Sequence, residues 1–440
     1  MKQAYFIGIG GIGMSALARY YHHRGWRVSG YDKTETQLTR KLVDEGLTIS
    51  FTADTTAVPQ AADLYVYTPA ISQDFAILTY LRDLGHTVYK RSEVLGQLSR
   101  QSDCIAIAGT HGKTTTAAIV AHVLREMGAD PTALIGGIMK NYNSNYLHGS
   151  SNILVVEADE YDRSFLQLFP DTAVITTIDP DHLDIYGTEE EMRDAYRAFA
   201  QMLPPSADLH LHESATIRGL DRPTISYGKK GDYQLLDVQH GENAWKVLLA
   251  DVEGQYSCSW QMPGEHNAMN ALAAFAVLRK RGYPAWDIMK GLETMQGIGR
   301  RYEIWLDKSP ALIMDYAHHP TELKAAISTA RMQYGKEAIM LVIFQPHLYS
   351  RTRDFHEEFA SELDAADQVW ITEIYPAREE ALPGVSAKMI KDKMKLSDTK
   401  IVKSTEVTEI IGTNKADVIL ILGAGDLDQQ MNKIKAALVA

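Results

Sequence analysis

The sequence predicts an α/β protein of three consecutive domains, each a largely parallel sheet with crossover helices. Three observations carry this expectation. The 440 residues correspond to about three domains at roughly 150 residues each. Short apolar strands alternate with helical patterns along nearly the whole chain. A strand, a glycine turn and a helix start follow one another twice, near residues 5–20 and 104–126. The expected boundaries are 1–98, 99–298 and 299–440.

In the first domain AYFIGI reads as a strand, MSALARYYHHRG as a helix and WRVSGYD as a second strand, with ADLYVYTPA and HTVYKR as further strands. Gly8-Ile9-Gly10-Gly11-Ile12-Gly13 satisfies G-x-G-x-x-G between strand and helix, and Asp32 closes the next strand. This is a Rossmann-like arrangement, in which the backbone and the helix N-terminus approach a diphosphate. The motif leaves open whether the ligand is NAD or another nucleotide diphosphate.

The second domain opens with DCIAIAGTHGKTTTAAIVAHVLREMGA. Its loop Gly109-Thr110-His111-Gly112-Lys113-Thr114-Thr115-Thr116 departs from the strict P-loop pattern, because Ile107 stands at the first glycine position. The working part remains: backbone N–H groups to cradle phosphate, Lys113 for the β/γ oxygens and Thr114 for Mg²⁺. SNILVVEAD and DTAVITTID read as buried strands ending in acid, bringing Glu157, Asp159, Glu160 and His182 to strand ends. Glu157 suits Mg²⁺, and His182 would suit Mn²⁺ as well. YQLLDV, NAWKVLLADV and QYSCSW read as a small antiparallel patch, and NAMNALAAFAVLRKRG as a helix ending at Gly282.

The third domain, Rossmann-like again, begins near GIGRRYE and continues through ALIMDY, AIMLVIFQP, QVWITEI and DVILILGAG. Asp315-Tyr316-Ala317-His318-His319-Pro320 ends one strand and Gln345-Pro346-His347-Leu348-Tyr349-Ser350-Arg351 ends the next. Placed after adjacent strands, these histidines and Arg351 predict an anion-friendly pocket. Pro320 is expected to start a helix, and Arg300 and Arg301 sit at an expected hinge.

Composition narrows the function. Lys+Arg total 44 against 56 Asp+Glu, a formal net charge of −12. That balance argues against non-specific nucleic-acid binding or an anionic membrane partner. The two cysteines, Cys104 and Cys258, have no neighbours at ligand spacing, so neither a disulfide framework nor a zinc ribbon is expected. The fifteen histidines contain no H-x-x-x-H pair with a third ligand. The apolar start is broken by Gly8, Gly10, Gly11 and Gly13, and no stretch approaches a membrane span. A cytoplasmic location is expected.

Ten runs in order resemble the Mur ligase family across essentially the whole chain: GIGGIGMSALA, AGTHGKTTT, VVEADEYDRSFL, DPDHLDIYG, PGEHNAMNALAA, GRRYE, DYAHHPTEL, FQPHLYSRT, YPAREEALPGVS and LGAGD. FQPHLYSRT and YPAREEALPGVS are most similar to its alanine-adding branch. The resemblance implies an ATP-dependent amide ligase that phosphorylates the lactyl carboxylate of UDP-N-acetylmuramate and passes the acyl group to L-alanine. It implies that Gly10, Gly11, Ile12, Gly13, Met14, Asp32 and Thr68 hold the UDP-sugar. ATP would meet Gly109, Thr110, His111, Gly112, Lys113, Thr114 and Thr115, with His266, Asn267 and Asn270 at the adenine and Asp315 at the ribose. Thr114, Glu157 and His182 would surround Mg²⁺, or Mn²⁺ in its place, and Arg301 would reach the γ-phosphate on domain closure. Tyr316, His318, His347 and Arg351 would line the amino-acid pocket, so that Lys113, His182, Arg301, His318 and Arg351 form the catalytic set.

Two departures stand out. Leu348 occupies a position that is often arginine in the alanine-adding branch. No lysine lies between His182 and Lys229, so the carbamylated lysine of several sister ligases has no counterpart. The rival within the family is a recycling ligase that adds a tripeptide to the same sugar nucleotide. An NAD-dependent oxidoreductase would leave the Lys113 loop idle, and a nucleotide-gated binding protein would leave the third-domain cluster idle. A monomer or weak homodimer is expected.

Overall fold

The computed structural model describes residues 1–440 except 242, 243, 308, 378 and 440, and except the side chains of 183 and 184. Residue 243, where the expected strand NAWKVLLADV begins, and residue 378 of YPAREE lie outside the described residues. Three sheets form. The first has five strands in the spatial order Thr48–Ser50, Arg27–Tyr31, Gln3–Ile7, Leu64–Tyr67, Val88–Lys90. All of its pairings are parallel. Ile7 is in register with Tyr31 on one side and Tyr67 on the other. The next residues, Gly8, Asp32 and Thr68, therefore meet at the carboxyl edge where the strand order reverses, which is where open α/β sheets bind ligands.

The second sheet has ten strands, in the order Gly254–Trp260, Trp245–Asp251, Tyr233–His240, Ile225–Gly228, Asp208–His212, Thr172–Ile175, Asp103–Ala108, Ile153–Glu157, Thr132–Met139, Ser144–Leu147. The strands of the expected antiparallel patch continue this sheet at one edge. Asp103–Ala108 runs parallel between Thr172–Ile175 and Ile153–Glu157, which gathers the loops after Ala108, Glu157 and Ile175. Gly112 caps the following helix, Lys113–Glu126, at φ 81°, a left-handed conformation that glycine adopts without a Cβ penalty. Thr188 caps Glu189–Met202, whose first turn holds Glu189, Glu190 and Glu191, as the helix dipole favours. Phe165 stacks on Phe199 of that helix with centroids 5.0 Å apart, anchoring the acidic segment that follows Glu157.

The third sheet has the order Glu303–Leu306, Ala311–Asp315, Val418–Leu422, Met340–Phe344, Gln368–Ile371, Thr399–Ile401. Only its first pairing is antiparallel. The adjacency expected of the two cluster-bearing strands does not hold. Ala311–Asp315 and Met340–Phe344 are not neighbours, because Val418–Leu422 pairs with both. The last strand of the chain inserts between them, as apolar VILIL, buried throughout, suits a central parallel strand covered on both faces. Pro320 does begin a helix, Pro320–Tyr334, capped by the His319 side chain.

By contacts the chain divides into two compact units: 1–236 with 248–258 and 269–295, and 237–247 with 259–268 and 296–440. In the first, Ala4, Phe6 and Leu17 share one core with Ala106, Ala173 and Phe199. In the second, Leu420 and Val342 face one core and Ile419 and Ile343 the other. Among the described residues no helix is long and apolar enough to cross a membrane.

Candidate functional site

In the first unit the loop after Ile7 is shaped by its neighbours. Gly8 and Ile9 donate to the Tyr31 carbonyl at 2.8 and 3.0 Å. Gly10 donates to Asp32 Oδ2 at 2.7 Å, so Asp32 spends one carboxylate oxygen on holding the loop. Gly11 caps the helix Ile12–His23 with no side-chain cap and no acid in the first turn, leaving a helix N-terminus open to an anion. Met14 is buried in the core, so what it can offer a ligand is its backbone N–H. Thr68 lies on the far side of the loop, where a Cβ on Gly8 would come within 2.7 Å of its methyl group.

The second loop is stitched to the strand end beside it. Thr110 N–H donates to the Thr177 carbonyl at 2.9 Å and His111 N–H to Thr177 Oγ1 at 3.0 Å. Thr110 Oγ1 meets both the carbonyl and the N–H of Asp179, at 2.9 and 3.0 Å. These two residues therefore set the loop's shape, while the N–H groups of the helix start that follows have no intrahelical partners. Lys113 Nζ donates to the carbonyls of Gly109 and Thr110, at 2.6 and 3.2 Å, and to Glu160 Oε1 at 2.8 Å. An ammonium has three donors, and all three are engaged. Burial pulls the Lys113 pKa down, but the carboxylates of Glu160 and Asp159 outweigh it and hold the ammonium above its usual value. Burial pushes Glu160 up, against the opposing pull of Lys113 and His182.

Thr114 Oγ1 donates to Glu157 Oε2 at 3.0 Å, and Gly136 N–H donates to Glu157 Oε1. Burial raises the Glu157 pKa, with these hydrogen bonds and Lys113 opposing. His182 has φ 53°, and its Nε2 lies 3.8 Å from both Glu160 and Asp181. Its Nδ1 is buried with no hydrogen-bond partner. The Thr114 hydroxyl, the Glu157 carboxylate and the orphaned His182 nitrogen are donors of the types that suit a divalent cation. No group of three or more His, Cys, Asp or Glu among the described residues could hold a metal by itself, so phosphate oxygens would have to complete the shell.

His266, Asn267 and Asn270 lie on the first turns of Glu265–Lys280. Asn270 Oδ1 accepts from Thr116 Oγ1 at 3.3 Å, tying this helix to the Lys113 helix. Asn267 Nδ2 donates to the Pro263 carbonyl at 2.7 Å. Burial, helped by the Arg301 charge, lowers the His266 pKa to about 4, so the ring is neutral near pH 7.

In the second unit Asp315 accepts from the N–H groups of Tyr302 and Ala317 at 2.6 and 2.7 Å. Burial raises its pKa to about 6, with Arg301 opposing and Glu322 adding to the rise. A carboxyl with a raised folded pKa contributes stability below its unfolded pKa and loses it as pH climbs through the folded value. Between pH 4 and about 6 the native state is therefore expected to lose this contribution, and Asp315→Asn to flatten that part of the melting-temperature profile. A profile unchanged by the substitution would contradict the assignment.

Arg300 and Arg301 lie over the Tyr316 ring at 4.6 and 4.9 Å. His318 Nδ1 is 2.8 Å from the Tyr316 carbonyl, which can only accept, so Nδ1 carries the proton and Nε2 is the basic nitrogen. The rings of His318 and His347 are 5.9 Å apart, and Arg351 Nη1 is 3.3 Å from His347 Nδ1. The structure thus brings Tyr316, His318, His347 and Arg351 together although Val418–Leu422 separates their strands.

Models of three Mur ligase domains match this chain: the family's catalytic domain over residues 3–103, its middle domain over 107–278 and its glutamate ligase domain over 300–425. The chain belongs to the Mur ligase family. The UDP-N-acetylmuramate–L-alanine ligase of Christiangramia forsetii is 40% identical over 100% of this chain and 98% of its own length. The crystal structure of the UDP-N-acetylmuramate–alanine ligase from Thermotoga maritima superimposes with a TM-score of 0.85 at 30% identity, covering 100% of this chain and 99% of that one. A murein peptide ligase from Psychrobacter arcticus shares the fold with a TM-score of 0.73 at 22% identity, covering 100% and 99%.

Several residues that shape the site of this Mur ligase went unassigned from sequence. Glu160 is the carboxylate that holds Lys113, and only its place in the acidic run VVEADE hinted at it. Glu322, four residues after His318 on the next helix, lies 3.1 Å from His318 Nδ1, an i,i+4 spacing that could have flagged it. Gln345 Nε2 donates to Asp426 Oδ1 at 2.9 Å, a pairing that follows from the inserted last strand and has no local signal.

Proposed function

We propose that this chain joins L-alanine to the lactyl carboxylate of UDP-N-acetylmuramate, consuming ATP and giving ADP and phosphate, a step of peptidoglycan precursor synthesis. The end-to-end likeness to UDP-N-acetylmuramate–L-alanine ligases carries this reading. The glycine loop of residues 8–13, with Asp32 and Thr68, takes the uridine diphosphate. The loop of residues 109–115 takes the β- and γ-phosphates on backbone N–H groups, while Lys113 exchanges its carbonyl and Glu160 partners for phosphate oxygens. His266, Asn267 and Asn270 would contact adenine, Asp315 the ribose and Arg301 the γ-phosphate. Thr114, Glu157 and His182 would hold Mg²⁺, or Mn²⁺, which when bound would supply positive charge to offset that of the transferring phosphoryl group.

A lactyl carboxylate oxygen attacks the γ-phosphorus and ADP leaves, giving an acyl phosphate. The protein's part is alignment and charge neutralisation, since phosphoryl transfer asks little covalent help of it. Arg351 would hold the alanine carboxylate. His318 Nε2 would take the ammonium proton, so that a neutral amine attacks the acyl carbon. The tetrahedral adduct then expels phosphate, which carries away one oxygen of the original carboxylate. That oxygen is the test: with ¹⁸O in the lactyl carboxylate, one label per turnover is expected in released phosphate. Unlabelled phosphate would exclude the acyl-phosphate route.

A further inference from the structure

The last glycine of the first loop, Gly13, is pressed by a charged side chain. A Cβ on Gly13 would lie 2.8 Å from Arg91 Nη1 and 3.2 Å from its Cζ, so this glycine makes room for a guanidinium. Arg91 begins the helix Arg91–Ser99, directly after the strand Val88–Lys90. That strand runs parallel with Leu64–Tyr67, so Arg91 reaches the loop from the same carboxyl edge. A cation beside a helix N-terminus is unfavourable, because both present positive charge. Here the N-terminus has no side-chain cap and no acid in its first turn.

The only ion-pair partner found for Arg91 among the described residues is Asp159, with Nη2 to Oδ2 at 3.4 Å, longer than a charge-assisted bond at its best. Asp159 comes two residues after Glu157, and its charge bears on the pKa of Lys113, Glu157 and Glu160. Next to this pair Lys90 Nζ holds Asp162 at 2.9 Å, which fixes the acidic segment against the first domain's sheet.

We propose that Arg91 is a diphosphate-binding residue shared with Asp159: it rests on Asp159 when the sugar-nucleotide site is empty and swings to the diphosphate when it fills. The inference rests on the reading of residues 8–13 as the UDP site. Diphosphate supplies the negative charge that the paired helix end and guanidinium lack, and a guanidinium fork suits phosphate oxygens. The exchange leaves Asp159 unneutralised beside Glu157 and Lys113, so occupancy of one site alters the charge at the other.

The test is calorimetric binding of UDP and of uridine to the full chain, without ATP. Arg91→Gln, which keeps most of the stem, is expected to weaken UDP about 10- to 100-fold and leave uridine unchanged. Asp159→Asn removes the competing carboxylate and is expected to tighten UDP several-fold, and the double variant to match Arg91→Gln alone, since the two act on one interaction. UDP bound equally by Arg91→Gln and wild type overturns the proposal. So does equal weakening of UDP and uridine, or an Asp159→Asn variant with unchanged UDP affinity. A wild-type chain that binds neither UDP nor UDP-N-acetylmuramate overturns the UDP reading itself, a separate and earlier failure.

Discussion

Lys113→Ala is expected to lower kcat by about 10³-fold or more while binding of UDP-N-acetylmuramate survives. The magnitude follows from removing the one ammonium at the start of the phosphate helix, where preorganised charge stabilises the transferring phosphoryl group. Separation of the effects follows from the fold: the UDP loop closes Gln3–Ile7 and the Lys113 loop closes Asp103–Ala108, strands of different sheets. The substitution also strips Glu160 of the charge that opposes its raised pKa. The variant's carboxyl should therefore be protonated at higher pH than in the wild type. By the sign of linkage, its stability deficit should shrink on acidification. Steady-state phosphate release, sugar-nucleotide titration and melting at two pH values check the three parts. Retained turnover, or lost UDP-sugar affinity, would place the phosphate chemistry on another loop.

Arg351→Ala is expected to reduce kcat/KM for L-alanine by about 100-fold, through KM more than kcat, because a buried charge-assisted contact to the amino-acid carboxylate is lost. Arg351 is 5% exposed and stands beside His347, so the pocket offers its charge in a desolvated setting where such contacts count most. Arg351→Lys should recover little, since an ammonium lacks the planar fork. The KM for ATP should change little. A variant whose loss falls on ATP rather than on alanine would move Arg351 to the phosphate side of the site.

The sequence reading succeeded where a local pattern had a local consequence. The two glycine loops, Asp32 and Thr68 stand at strand ends because strands of the first and second sheets run parallel and in register, and apolar runs bounded by turns reveal that. Pro320 and His319 start their helix for reasons confined to a few residues. The reading failed where placement depends on distant chain. The neighbours of Ala311–Asp315 were misjudged because Val418–Leu422, about a hundred residues later, inserts beside it, and nothing near Asp315 encodes that. Partner choice was equally hidden. The loop pattern marks Lys113 as a phosphate ligand, and its hold on Glu160 emerges only when the segment after Glu157 folds back to Lys113. The glycine motif accounts for Gly13 as one of four loop glycines, whereas its missing Cβ makes room for Arg91.

The central claim is the identity of the acceptor, and phosphate release tests it most directly. The purified chain with ATP, Mg²⁺ and UDP-N-acetylmuramate should release phosphate on addition of L-alanine and stay near background without either the sugar nucleotide or the amino acid. Release that ignores L-alanine but follows addition of a tripeptide would contradict the account and move this Mur ligase to the recycling branch.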